Sequence, residues 1–180
     1  MQHTLIALVE DKPGVLNRVS SLFRRRAFNI DSLAVGHTDR PGISRMTIVM
    51  DSDNVSAERV TSYLYKLVNV IQVEDVTHRP TVSRDLAMIK VGVSATNRTE
   101  IIQLVDVFRA RIVDVANDSM IVEITGDEEK INGFVDVLRP HGIMEMVRTG
   151  TVSMLRGAVT PVNGNGNGHH NGNGKAQKII

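Results

Sequence analysis

Six consecutive residues near the start of the chain, Asp11-Lys12-Pro13-Gly14-Val15-Leu16, hold the types needed to grip a small zwitterion. Gly14 has no side chain where the chain turns into what reads as a helix. A ligand can therefore approach the backbone N–H groups of Gly14, Val15 and Leu16, whose partial positive charge favours a carboxylate. Asp11, just ahead of the turn, is an acceptor for an ammonium group, and Asn29 can orient the same ligand from the side. A carboxylate and an ammonium on one small molecule describe an amino acid. The same residues also serve as an ordinary helix start, with Asp11 and Pro13 opening the helix, Gly14 allowing close packing and Asn29 capping the helix that follows the turn. Residue type and spacing leave both readings open.

Other chemistries find fewer parts. The chain has no cysteine, which excludes disulfides, thiolate nucleophiles and Cys-ligated metals and fits a reducing, cytoplasmic setting. His3, His37, His78 and His141 lie apart with no nucleophile elbow near them. Phosphate chemistry of the acylphosphatase type would rest on Lys12 alone, or on Arg98 further on. RNA reading needs aromatic platforms on central strands, and residues 4–9 and 44–50 contain none. The chain is therefore expected to have no catalytic residues, no metal site and no cofactor of its own.

The turn must be positioned by the elements around it, and their order is legible in the apolar spacing. Residues 4–10 (TLIALVE) suit a buried strand, and Pro13 is expected at the first helical position, followed by Val15, Leu16, Val19, Leu22 and Phe23 on one helical face. Residues 29–37 and 43–50 read as strands around the hairpin loop Asp39-Arg40-Pro41-Gly42. A helix bearing Val60, Leu64 and Leu67 and a strand over 68–76 complete a βαββαβ unit.

That order then recurs. A strand over 86–93 leads to a helix lined by Ile101, Ile102, Val105 and Phe108 and opened by the box Asn97-Arg98-Thr99-Glu100. A hairpin joins 112–116 to 120–125, a helix lined by Ile131, Phe134, Val135 and Leu138 stops at Pro140, and a strand over 143–147 closes the unit. Phe23-Arg24-Arg25-Arg26, ahead of the second strand of the first copy, resembles Phe108-Arg109-Ala110-Arg111 ahead of that of the second. The fold class is α+β, two tandem ferredoxin-like βαββαβ domains over 1–78 and 79–157, followed by a Gly/Asn-rich tail, 158–180, expected to be disordered. Because helices cover one face of each sheet, the other face needs a partner, and pairing between chains as a homodimer is the expectation.

Bulk composition excludes more than it proposes. Among 180 residues, 21 Lys and Arg face 20 Asp and Glu, so no strong positive field marks a nucleic-acid partner. Setting aside Lys175 and Lys178 of the tail leaves 19 bases against 20 acids in the body. No apolar run reaches the roughly 18 residues that span a bilayer, so no membrane partner is expected.

Taken together, these segments resemble the small, regulatory subunits of acetolactate synthase, also called acetohydroxyacid synthase, over about residues 3–157. The first copy resembles an ACT domain, a small-molecule-binding ferredoxin-like module. It carries Glu10-Asp-Lys-Pro-Gly-Val-Leu16, Arg26-Ala-Phe-Asn-Ile-Asp-Ser-Leu-Ala-Val35 and Ser44-Arg-Met-Thr-Ile-Val49. The second carries Ser83-Arg-Asp-Leu-Ala-Met-Ile-Lys-Val91, Phe108-Arg-Ala-Arg-Ile-Val-Asp-Val115 and Gly150-Thr-Val-Ser-Met-Leu-Arg-Gly157. The resemblance implies a non-catalytic subunit that activates a large catalytic subunit and confers feedback inhibition by valine or another branched-chain amino acid. The large subunit would use thiamine diphosphate, magnesium and FAD. The effector site it implies falls on Asp11, Gly14, Val15, Leu16, Asn29 and Ile30, shared between the ACT domains of two chains, with the second copy concerned with activation. Some members of the family have Asn where this chain has Asp11. A stand-alone amino-acid sensor acting on another partner, for instance in transcription, is the alternative; it would need a DNA-reading element, and no helix-turn-helix lies outside the two copies.

Overall fold

In the computed structural model, which describes residues 2–51 and 57–157, the first strand alternates as its sequence demands. Along β1 (Gln2–Glu10), Leu5, Ala7 and Val9 point into a core with Met46, Ile48 and Met50 of β3 (Ile43–Asp51), and Ile6 points the other way. Over that core lie α1 (Val15–Arg25), through Val15, Val19, Leu22 and Phe23, and α2 (Ala57–Leu64), through Val60 and Leu64. With β2 (Ser32–His37) and β4 (Val70–Asp75) the sheet order is β2-β3-β1-β4, antiparallel throughout. Each large side chain buried in this way contributes about 1.5–3 kcal/mol, and together they hold the helices to the sheet.

The second unit repeats the plan with β5 (Thr81–Gly92), α3 (Arg98–Val107), β6 (Arg111–Val115), β7 (Ser119–Gly126), α4 (Glu128–Leu138) and β8 (Ile143–Arg148), in the order β6-β7-β5-β8. Its core is Ala87, Ile89, Val91, Ile101, Val105, Val122, Ile124, Ile131, Phe134 and Leu138, among others. The α+β tandem of two ferredoxin-like units is therefore what the chain folds into.

Several local expectations change. Pro13 lies outside the helix: Gly14, at φ 84°, is its cap, and α1 begins at Val15. Asn29 does not open a strand, because β2 starts at Ser32 and residues 29–31 form a loop closed by Asn29 Nδ2 donating to Asp31 Oδ1 at 2.7 Å. Leu67 follows α2 in a turn, where its N–H donates to the Leu64 carbonyl at 3.0 Å. Asn97 caps no helical N–H; its Oδ1 accepts from the Ser94 N–H at 2.7 Å, whereas Asp127 caps α4 by accepting from the Lys130 N–H at 2.9 Å.

The Phe-Arg repeat is also out of register. Both α1 and α3 end on a left-handed non-glycine residue, Ala27 at φ 54° and Arg109 at φ 53°. In both, the next N–H reaches back five residues: Phe28 to the Phe23 carbonyl at 3.0 Å and Ala110 to the Val105 carbonyl at 2.9 Å. This helix-ending motif aligns Ala27 with Arg109, so Phe23 and Phe108 are not equivalent.

The larger surprise is β9 (Val152–Leu155), beyond the two βαββαβ units, which pairs with Thr81–Arg84 of the long β5. This ribbon lies against the helix-free face of the first sheet, where Ile6, Thr47 and Val49 keep only 5%, 2% and 5% of their exposure. Part of the face expected to need a second chain is thus covered by the chain itself. The tail and its His169-His170 pair lie outside the described residues.

Candidate functional site

The turn between β1 and α1 is anchored from three directions. The Asp11 N–H donates to the Gly42 carbonyl at 2.8 Å, tying it to the β2–β3 hairpin, and the Lys12 N–H closes onto the Glu10 carbonyl at 3.0 Å. From the end of β2, His37 Nδ1 lies 3.2 Å from Asp11 Oδ2. Beneath the turn, Asn69 donates to Glu10 Oε2 at 2.5 Å and accepts from Arg18 Nη1 at 2.6 Å, while Lys12 Nζ lies 3.1 Å from the same Glu10 oxygen. Hydrogen bonding from Asn69 and then Lys12 holds the Glu10 carboxyl below its ordinary range.

This scaffold leaves the helix entrance open. A side chain built on Gly14 would meet nothing within 4 Å, although φ 84° strains any residue but glycine. The Val15 N–H turns back to the Lys12 carbonyl at 3.3 Å, and the first helical bond runs from the Arg18 N–H to the Gly14 carbonyl at 3.0 Å. The amides of Leu16 and Asn17 come before that bond and are the free donors of the first turn. Val15 is a core residue, so only its backbone faces the turn, whereas the Leu16 side chain is 44% exposed beside it.

Of the six residues singled out from the sequence, the structure brings Asp11, Gly14, Val15 and Leu16 together and sets Asn29 and Ile30 apart. The register explains why. β2 runs from Ser32, opposite Val49, to His37, opposite Ser44, and β1 ends at Glu10, opposite Ile43. Asp11 therefore sits where β2 finishes and Asn29 where it has yet to begin, at opposite ends of a six-residue strand, about 17 Å or more apart. Within one chain Asn29 cannot orient a ligand held by Gly14. Asn29 is exposed, and Ile30 is half-buried against the first core.

Residue type alone missed Arg18, His37 and Asn69. Arg18 had a usable signal, since a cation four residues after Gly14 lies one turn along the same helical face. Asn69 and His37 had none, because sheet pairing brings them to the turn from 59 positions away from Glu10 in one case and 26 from Asp11 in the other. Among the described residues no cluster of three or more His, Asp or Glu is placed to hold a metal ion, and no helix is long and apolar enough to cross a membrane.

An open helix entrance on the first of two ferredoxin-like units places the chain in the class of tandem ACT-like α+β proteins. Residues 5–72 match the family described as an AHAS small subunit-like ACT domain, and residues 84–157 match the small subunit of acetolactate synthase. A probable acetolactate synthase small subunit from Archaeoglobus fulgidus is 52% identical over 157 residues, covering 87% of this chain and 98% of the relative. The acetolactate synthase small subunit of Mycolicibacterium smegmatis is 52% identical over 155 residues, 86% of this chain and 91% of the relative. The crystal structure of the acetolactate synthase small subunit from Thermotoga maritima superposes with a TM-score of 0.82 at 39% identity, covering 88% of this chain and 99% of that one. The chain belongs to the acetolactate synthase small subunit family.

Proposed function

We propose that the chain is a regulatory subunit with no catalysis of its own, which raises the activity of a large acetolactate synthase subunit and makes that activity subject to inhibition by valine or another branched-chain amino acid. The chemistry would belong to the large subunit and the thiamine diphosphate, magnesium and FAD it carries. The observation that carries the effector reading is the placement of the two half-sites at opposite ends of the edge strand β2. When two copies of an edge strand lie antiparallel about a twofold axis, the start of one meets the finish of the other. Asn29 and Ile30 of one copy then stand beside Asp11, Gly14 and Leu16 of the second, and one amino acid can touch both.

In that arrangement the effector carboxylate meets the free amides of Leu16 and Asn17 at the positive end of α1. Its ammonium faces Asp11, in exchange for His37, and the Asn29 side-chain carbonyl; Leu16 and Ile30 cover the aliphatic side chain. The same geometry supports a homodimer through the first units. The test reconstitutes the large subunit of the same organism with and without this chain, measures acetolactate formation over a valine titration, and follows valine binding to the chain by calorimetry. Stimulation without valine and inhibition with it are expected. Condensation of pyruvate by the chain alone, or absence of any effect on the large subunit, overturns the proposal.

A further inference from the structure

The second unit meets the first where β2 begins. The Thr151 N–H donates to Ser32 Oγ at 2.8 Å. Next to it Gly150 lies so close to β2 that a Cβ there would stand 2.6 Å from the Leu33 carbonyl oxygen, 2.8 Å from its carbon and 3.0 Å from Ser32 Oγ. No side chain fits between the two backbones.

The turn that carries this contact is itself held rigidly to the second sheet. The Thr149 N–H donates to the Leu86 carbonyl at 2.9 Å, and the Leu86 N–H donates to Thr149 Oγ1 at 3.0 Å. One residue earlier, Arg148 places Nε at 2.9 Å and Nη2 at 2.5 Å from Oδ2 of the buried Asp85. On the other side, the Ser153 and Ser83 hydroxyls are 2.7 Å apart and the Arg45 guanidinium donates to the Ser153 carbonyl. Residues 148–153 thus form a stiff tooth of the second unit pressed against Ser32 and Leu33.

Ser32 is two residues beyond Ile30. Between them Asp31 accepts from Asn29 at 2.7 Å, and its N–H donates to the Val49 carbonyl at 2.9 Å, so the segment from Asn29 to Ser32 is short and braced. We infer that the contact of Ser32 with Gly150 and Thr151 is the latch through which an effector held at Asn29 and Ile30 acts on the second unit, with Ser32 and Gly150 as its positioning residues. This rests on the effector reading above. Close-packed backbones cannot interpenetrate, so a shift of residues 29–32 must be passed to residues 150–151 or be resisted by them. An effector biases a distant element only through a difference in affinity between its two arrangements, and the latch supplies that difference.

The test uses the full chain reconstituted with its large subunit, in wild-type form and as Ser32→Ala, Ser32→Thr and Gly150→Val. It combines valine calorimetry on the small subunit, valine inhibition of the complex, and hydrogen exchange of the peptide covering 149–155 with and without valine. Wild type should show a valine-dependent change in exchange over 149–155. Ser32→Ala should bind valine within about threefold of wild type and activate within about twofold, yet need about tenfold more valine for half inhibition, with the exchange change lost. Ser32→Thr, which keeps the hydroxyl, should restore both, and Gly150→Val should uncouple inhibition more completely. Inhibition of Ser32→Ala at the wild-type valine concentration overturns the latch. So does loss of activation together with inhibition in both Ser32→Ala and Gly150→Val, which would make the contact one that merely holds the fold. Absence of binding of valine, leucine and isoleucine alike to wild type refutes the effector site itself, whereas wild-type binding without an exchange change over 149–155 refutes only the latch.

Discussion

The two units enter their first helix by turns of opposite character. In the first, Gly14 stands in open space, and the turn is held from outside by Gly42, His37 and the Glu10–Asn69–Arg18 chain. In the second, the turn is closed by its own side chains. Asn97 accepts from the Ser94 N–H and hydroxyl at 2.7 and 3.1 Å and donates to the Gly92 carbonyl at 3.3 Å, and Arg98 donates to the carbonyls of Ala116 and Asn117 at 3.2 and 3.0 Å. The same scaffold position is left unfilled in one copy and filled in the other. A ferredoxin-like unit does not bind a ligand by virtue of its fold; it does so where its side chains leave backbone donors unused.

The widest test of the comparison asks whether the units stand alone. Phe23→Ala and Phe134→Ala each empty a fully buried ring from one core and should each cost about 3–5 kcal/mol. Urea unfolding followed by a probe in each unit reads the outcome. If the β5–β9 ribbon and the Gly150 contact bind the units into one cooperative body, both probes shift in both variants; two separate transitions would show the units to be independent.

Next in size is charge at the two turns. Gly14→Asp puts a carboxylate, at a strained φ, where the effector's own carboxylate is proposed to sit, and should reduce valine inhibition by roughly 5- to 150-fold, the span of about 1–3 kcal/mol of coupling, while activation survives. Thr96→Asp puts the same charge in the closed turn of the second unit and should leave inhibition unchanged. Valine titrations of the two reconstituted variants decide it, and equal effects would abolish the distinction between open and closed turns.

The smallest effect is a pH dependence at the first turn. The Glu10 carboxyl is held low by Asn69 and Lys12, so the stability it contributes is present above the ordinary carboxylate range and is lost as pH falls through its lowered pKa. The difference in urea midpoint between wild type and Glu10→Gln should therefore be greatest near neutrality and shrink as the solution is acidified. A difference that grows on acidification reverses the assigned sign.

Much of this arrangement was legible in advance, and the reason is periodicity. Leu5, Ala7 and Val9 on a period of two, and Val15, Val19, Leu22 and Phe23 on a helical period, follow from neighbours in sequence and survive almost any tertiary setting. The repetition of the order βαββαβ, and the glycine turn at the first helix, belong to the same level. Asn29 shows where it ends. Its residue type suited the ligand proposed for Gly14, but β2 carries the chain the length of the sheet between them, and no local spacing encodes that separation.

Residue types and their spacing determined the elements of the two βαββαβ units, their order and one turn with backbone donors to spare, because hydrophobic periodicity and glycine's freedom are local properties of the chain. The tertiary structure alone decided that the residues proposed to hold the effector lie at opposite ends of an edge strand, that Asn69 and His37 brace the turn, and that β9 folds back to press Gly150 against Leu33. Those contacts join residues as many as 119 positions apart, as Ser32 and Thr151 are, and they form only when the two sheets have set the distances between them.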